Sequence, residues 1–175
     1  MIIKRFMPFS TLALLMLTAS CNAEPPVSTK PIATAQLFPQ KTQRYHAKLY
    51  QLIDPDEQRF DREFSESFDQ LLAPYTKQDR QIRARITSGP AATSSYIQAG
   101  SEKYVHFGTC QAHQCDSTVL NILYVPERNK MVGKLIDRCR VTWLGTPTDL
   151  ERQVLNERQQ VGFPAVEKQC GARDE

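Results

Sequence analysis

Five strand-like runs crowd between positions 93 and 144, and that crowding constrains the fold more than any other feature of the 175-residue chain. The runs are 93–98, 103–108, 118–125, 131–137 and 140–144, joined by turn-rich connectors such as Ala99-Gly100-Ser101 and Pro126-Glu127-Arg128-Asn129. Connectors this short join antiparallel neighbours, because a parallel pair needs a crossover of a dozen or more residues. The 118–125 run is apolar on both faces, at Val119, Leu120, Ile122 and Leu123, which predicts a central strand. Just upstream, Ile82, Ala84 and Ile86 alternate with Gln81, Arg83 and Arg85, the period of a half-buried strand.

Helical signals flank the strands. Asp54 is placed to cap a helix, Pro55 suits its first position and Glu57 stands where a capping box puts its acid. Phe60, Phe64, Phe68, Leu71 and Leu72 then recur at helical spacing until Pro74, which predicts the end. Seven acids against Arg59 and Arg62 between positions 54 and 69 make the outer face acidic and solvated. Thr148 and Glu151 form a second capping box, ahead of Leu150, Val154 and Leu155; the stretch from Val161 to Cys170 reads as irregular. Residues 45–53 fit a short helix or a strand equally. The predicted class is α+β, an antiparallel sheet of about five strands flanked by helices.

The first twenty residues read as an export signal: Lys4 and Arg5, an apolar run at 12–17, then Thr18-Ala19-Ser20-Cys21. The apolar run is shorter than the roughly 20 residues a spanning helix needs. A cysteine directly after small residues resembles the lipobox of bacterial lipoproteins. The resemblance implies cleavage after residue 20, acylation of Cys21 and, from Asn22, sorting to the outer membrane on its periplasmic side. Pro25, Pro26, Pro31 and Pro39 among small polar residues make 21–44 a predicted tether. The remaining stretch, 45–175, is enough for one core.

Of the 22 Lys and Arg, removal of Lys4 and Arg5 leaves 20 against 19 Asp and Glu, a net charge near +1. No concentrated basic face for nucleic acid follows from that balance. With Cys21 set aside, four cysteines remain, Cys110, Cys115, Cys139 and Cys170, an even number suited to an oxidising compartment. Three pairings are open; a Cys110–Cys115 bridge would leave Cys139 with Cys170. The short closure would contribute only about 2 kcal/mol and the long one about 3 to 4 kcal/mol, so shape is the better reason for the first.

That first closure encloses Cys110-Gln111-Ala112-His113-Gln114-Cys115 between two predicted strands, with a histidine near its tip. The same sequence fits a purely structural knuckle carrying a solvated histidine. Zinc would require free thiolates at Cys110 and Cys115 with His113, and His106 as a fourth ligand. A thiol oxidoreductase would use Cys-x-x-Cys, and here four residues intervene. No paired carboxylates or nucleophile with its base stand at readable spacing, so the chain reads as a binding protein without cofactor or metal, and not as an enzyme. His46 and His106 are weaker candidates than His113, and Trp143 reads as core.

Together, Tyr104-Val105-His106-Phe107-Gly108-Thr109, the Cys110–Cys115 loop with His113, and Trp143-Leu144-Gly145-Thr146-Pro147 resemble the family of inhibitors of vertebrate lysozyme, Ivy, over residues 45–160. In that family the loop runs Cys-Lys-Pro-His-Asp-Cys and its histidine enters the lysozyme cleft. Cys110, His113 and Cys115 match; Gln111, Ala112 and Gln114 depart. The resemblance implies a lipid-anchored inhibitor whose partner is a c-type lysozyme or related muramidase. The departures imply weaker or shifted inhibition, which restoring Pro at 112 and Asp at 114 would tighten. The alternatives are an immunity or regulatory protein directed at a bacterial muramidase or lytic transglycosylase, and a structural envelope lipoprotein with an inert loop.

The chemistry of such an inhibitor stands by itself. Lysozyme keeps one carboxylic acid protonated, with a pKa of about 6, beside an ionised aspartate. In retaining glycosidases the two groups are about 5 to 5.5 Å apart. A neutral imidazole carries one donor and one acceptor on opposite sides of a flat ring. It can accept from the acid and donate to the aspartate at once, in the space the sugar needs.

Overall fold

The computed structural model describes residues 31–171; the signal at 1–20, Cys21 and the tether as far as residue 30 lie outside them. Six strands form one sheet in sequence order: β1 Thr34–Gln36, β2 Ser95–Ala99, β3 Glu102–Cys110, β4 Val119–Val125, β5 Lys130–Asp137 and β6 Arg140–Leu144. Every neighbouring pair is antiparallel. The class is α+β, with one strand more than the five runs of the sequence. Every residue of β4 is buried, and its two faces feed two separate cores.

Leu120, Ile122 and Tyr124 of β4, with Val105 and Phe107 of β3, face α1 (Leu49–Ile53), α2 (Arg62–Thr76) and α3 (Ile82–Ile86). Phe64, Phe68 and Leu72 of α2 are fully buried against them. On the other face Leu123, Val125, Tyr104 and Val132 meet Val154 and Leu155 of α4 (Asp149–Gly162). At one end of that face Val119 and Ile136 meet Val166 of α5 (Pro164–Cys170). Burial on both faces places β3 and β4 in the most constrained part of the molecule.

Several elements differ from the sequence reading. α2 begins at Arg62, because Asp61 and not Asp54 caps it by accepting from the Phe64 amide at 3.1 Å. Asp54 instead accepts from the Asp56 amide at 3.0 Å, closing a local turn. Pro74 lies within the last turn of α2, which continues to Thr76. Residues 82–86 form a helix: Ile82 and Ile86 are four apart and share a helix face as well as a strand face, whereas Ala84, which a half-buried strand would cover, is exposed. Of the stretch 161–170, read as irregular, Val161 and Gly162 end α4 and 164–170 form a helix with Pro164 in the first turn. The 45–53 ambiguity resolves into α1, preceded by a 3-10 helix at Gln40–Tyr45.

The segment read as the end of a tether is attached to the fold. Thr34–Gln36 pairs with β2. Glu157 of α4 accepts from the amides of Ile32 and Ala33 at 2.7 and 3.2 Å, and Arg158 donates to the Ala33 carbonyl at 2.7 Å. Backbone pairing, two charged side chains and burial of Ala33 in the α4-side core make this attachment, which composition does not reveal. The capping box at the start of α4 is present: Thr148 Oγ1 accepts from the Glu151 amide and Glu151 accepts from the Thr148 amide.

Candidate functional site

β3 and β4 form a hairpin whose connection is the cysteine loop. Cys110 ends β3, and Cys110 and Cys115 are bridged with Cα atoms 5.0 Å apart. Inside the bridge the Gln114 amide donates to the Gln111 carbonyl at 3.1 Å, and the Ser117 and Thr118 amides donate to the Gln114 carbonyl at 3.1 and 2.8 Å. The Gln111 amide closes the base by donating to the Thr118 carbonyl at 3.0 Å. These bonds reverse the chain so tightly that His113 takes a left-handed conformation, φ 62°. For a residue with a side chain this costs on the order of 1 kcal/mol, which the surrounding bonds and the bridge must offset. His113 is exposed, whereas Cys110 is buried and Gln111, Ala112, Gln114 and Cys115 are partly so.

Two other parts of the chain hold this loop. On one side, the Gly89 amide donates to the Cys110 carbonyl at 3.1 Å, Ser88 Oγ accepts from the Ala112 amide at 3.1 Å, and Ala91 bridges to Thr109. A Cβ on Gly89 would stand 2.6 Å from the Cys110 carbonyl oxygen, so only glycine permits this approach. In α3, Arg85 Nη1 donates to the Gln111 side-chain oxygen at 2.6 Å. On the other side, the Cys139 amide donates to the Ser117 carbonyl at 3.0 Å, and the Arg138 amide to Thr118 Oγ1 at 3.2 Å. Arg138 and Cys139 are the two turn residues between β5 and β6, both left-handed with φ 52° and 67°. Such turns favour Asn-Gly. The Cys139–Cys170 bridge, Cα atoms 5.1 Å apart, fastens this unfavourable pair to α5.

Charge is concentrated behind the loop. Arg85 lies between Asp79 and Asp137, and Tyr75 donates to Asp137 at 2.8 Å. The hydrogen bonds of Arg85 hold the Asp79 carboxyl below the usual carboxylate range. Burial opposes ionisation of Asp137, but its bonds from Arg85 and Tyr75 outweigh this and hold it low as well. Asp137 is the last residue of β5, directly before the Arg138–Cys139 turn.

Both bridges seen here pair as the sequence suggested, which leaves no thiolate at Cys110 or Cys115 for zinc. Among the described residues no group of three His, Cys, Asp or Glu side chains is placed to hold a metal ion. His106 lies partly buried on the α4 face, with Nε2 3.0 Å from the Asn121 side-chain oxygen and Nδ1 3.5 Å from Ser95 Oγ. Burial above all, with the Arg158 charge, brings its pKa down to about 4 against the opposing Asn121 bond. His46 stacks on Phe38, centroids 4.8 Å apart. Trp143 is partly buried on the α4 side, with the Arg152 guanidinium 5.3 Å from its ring.

The sequence singled out the loop but missed its supports, Arg85, Ser88 and Gly89. Arg85 read as the outward residue of a strand. A glycine in a loop that packs on another backbone leaves no periodic signal. No protein-family model, curated protein or solved structure matches the chain.

Proposed function

We propose that this chain is an envelope lipoprotein of the Ivy type, anchored through Cys21, that binds and inhibits c-type lysozyme by inserting His113 between the two catalytic carboxylates. The observation that carries the reading is the contrast within one short loop. An exposed imidazole stands at the tip, while the residues on either side of it are held by a bridge and by backbone bonds on both flanks. A loop ordered before binding avoids much of the entropic cost that weakens association. The inserted ring would accept from the protonated acid and donate to the aspartate, excluding sugar from the cleft.

The deciding experiment is inhibition of a panel of c-type lysozymes, bacterial muramidases and lytic transglycosylases by the full chain and by His113→Ala. The substitution is expected to raise the inhibition constant at least tenfold, about 1.4 kcal/mol. Equal inhibition by both proteins would refute the role of His113. Inhibition confined to bacterial muramidases or lytic transglycosylases would favour the immunity reading over a vertebrate target.

A further inference from the structure

The guanidinium of Arg85 has five N–H donors, and the structure uses all of them. Nε and Nη2 donate to Asp79 Oδ2 at 3.2 and 2.6 Å. Nη1 and Nη2 donate as a fork to Asp137 Oδ1 and Oδ2 at 3.1 and 3.0 Å. The remaining Nη1 hydrogen goes to the Gln111 side-chain oxygen at 2.6 Å. The side chain is only 15 % exposed, so these bonds are largely shielded from competing water.

Each partner of Arg85 lies on a different piece of the loop's support. Asp79 precedes α3 and its own side chain accepts from the Gln81 amide at 2.9 Å, so it fixes the start of that helix. Asp137 leads into the turn whose Cys139 amide holds Ser117, on the outgoing side of the loop. Gln111 is on the incoming side, two residues before His113, with its amide and carbonyl both engaged in the loop's internal bonds. Two carboxylates fix the plane of the guanidinium, and the plane fixes where the Gln111 amide must point. A lysine could satisfy one of these partners as a point charge but not all three as a planar fork.

We propose that Arg85 is a positioning residue for the inhibitory loop: through Gln111 it sets the pose in which His113 is presented. The proposal rests on the inhibitory reading for its consequence, but its geometric content can be measured without any lysozyme.

The test is a double-mutant cycle on the full chain with Arg85→Lys, Gln111→Met and the pair, read by two measurements. Amide hydrogen exchange at Gln111 and Gln114 should speed up at least tenfold in either single variant, and the pair should exchange no faster than Arg85→Lys alone. The inhibition constant against a c-type lysozyme should rise about tenfold in each single variant with the same lack of additivity. Gln111→Met leaves the Asp79 and Asp137 bonds intact, so it reports on the loop even if Arg85→Lys folds poorly. Unchanged loop exchange in Gln111→Met, or additive effects in the pair, would overturn the assignment. If neither the unmodified chain nor the variants inhibit any lysozyme, the inhibitory reading fails while the exchange data still decide the role of Arg85.

Discussion

The Ala112 amide donates to Ser88 Oγ across 3.1 Å, tying the tip of the loop to a segment 24 residues earlier in the chain. The family resemblance implied that restoring proline at 112 would tighten binding. Proline has no N–H, so Ala112→Pro forfeits this bond while removing chain entropy. Expected outcomes therefore separate: Gln114→Asp, which adds a negative charge toward a basic enzyme, lowers the inhibition constant several-fold, whereas Ala112→Pro gives no gain. Inhibition titrations of the two single variants check this, and tighter binding by Ala112→Pro would show that stiffness outweighs the lost bond.

Gly89 is the position where the loop's support is least tolerant of change. A methyl group there meets backbone atoms of Cys110, Gln111 and Ala112 within 2.9 Å, and backbone cannot rotate away. Gly89→Ala is expected to cost about 2 to 3 kcal/mol, the upper part of the range for overpacking. Urea denaturation measures the loss; an unchanged midpoint at unchanged slope would contradict the close approach.

His106 ties stability to pH. Its folded pKa of about 4 lies below the ordinary value of 6.5, because burial under the α4 face and the Arg158 charge disfavour the protonated ring and outweigh the opposing Asn121 bond; Ser95 is the other polar group facing it. Between these two values the unfolded chain binds a proton that the folded chain does not. The contribution is complete above about pH 6.5 and is lost as the pH falls toward 4, on the order of 3 kcal/mol in all. The held-down carboxyls of Asp79 and Asp137 add a separate loss that begins near pH 4 and continues below it. His106→Gln should flatten the stability curve between pH 4 and 6.5; a curve with the same slope would locate the titrating group elsewhere.

Removing the Cys139–Cys170 bridge by paired Ser substitutions is expected to cost about 3 to 4 kcal/mol by chain entropy. It also frees the left-handed Arg138–Cys139 turn that supports Ser117. Thermal unfolding gives the first effect, and amide exchange at Cys139 the second. A loss well under 1 kcal/mol would mean that α5 is held by Val166 packing alone.

The strands were legible because short runs broken by turn-rich connectors are local signals, and all five runs from 93 to 144 lie within a residue or two of β2 to β6. Ile82, Ala84 and Ile86 deceived because two isoleucines four apart satisfy both periods, and only the exposure of Ala84 separates them. β1 was hidden for a different reason. Thr34, Ala35 and Gln36 are all exposed and bring no hydrophobic side chain to the core, so their place depends on backbone pairing and on Glu157 and Arg158, far along the chain. The loop declared itself through cysteine spacing, whereas its supports act across the fold: Arg85 reaches Gln111 over 26 residues and Asp137 over 52.

Fastening Ala33 to α4 has a consequence for reach. If Cys21 is the proposed point of attachment to lipid, the leash runs only from Cys21 to Ala33, about 12 residues and at most roughly 40 Å when drawn straight. That is about half the span a leash ending at residue 44 would give. Ala33, and with it the α4 side of the domain, would then stay within that distance of the lipid.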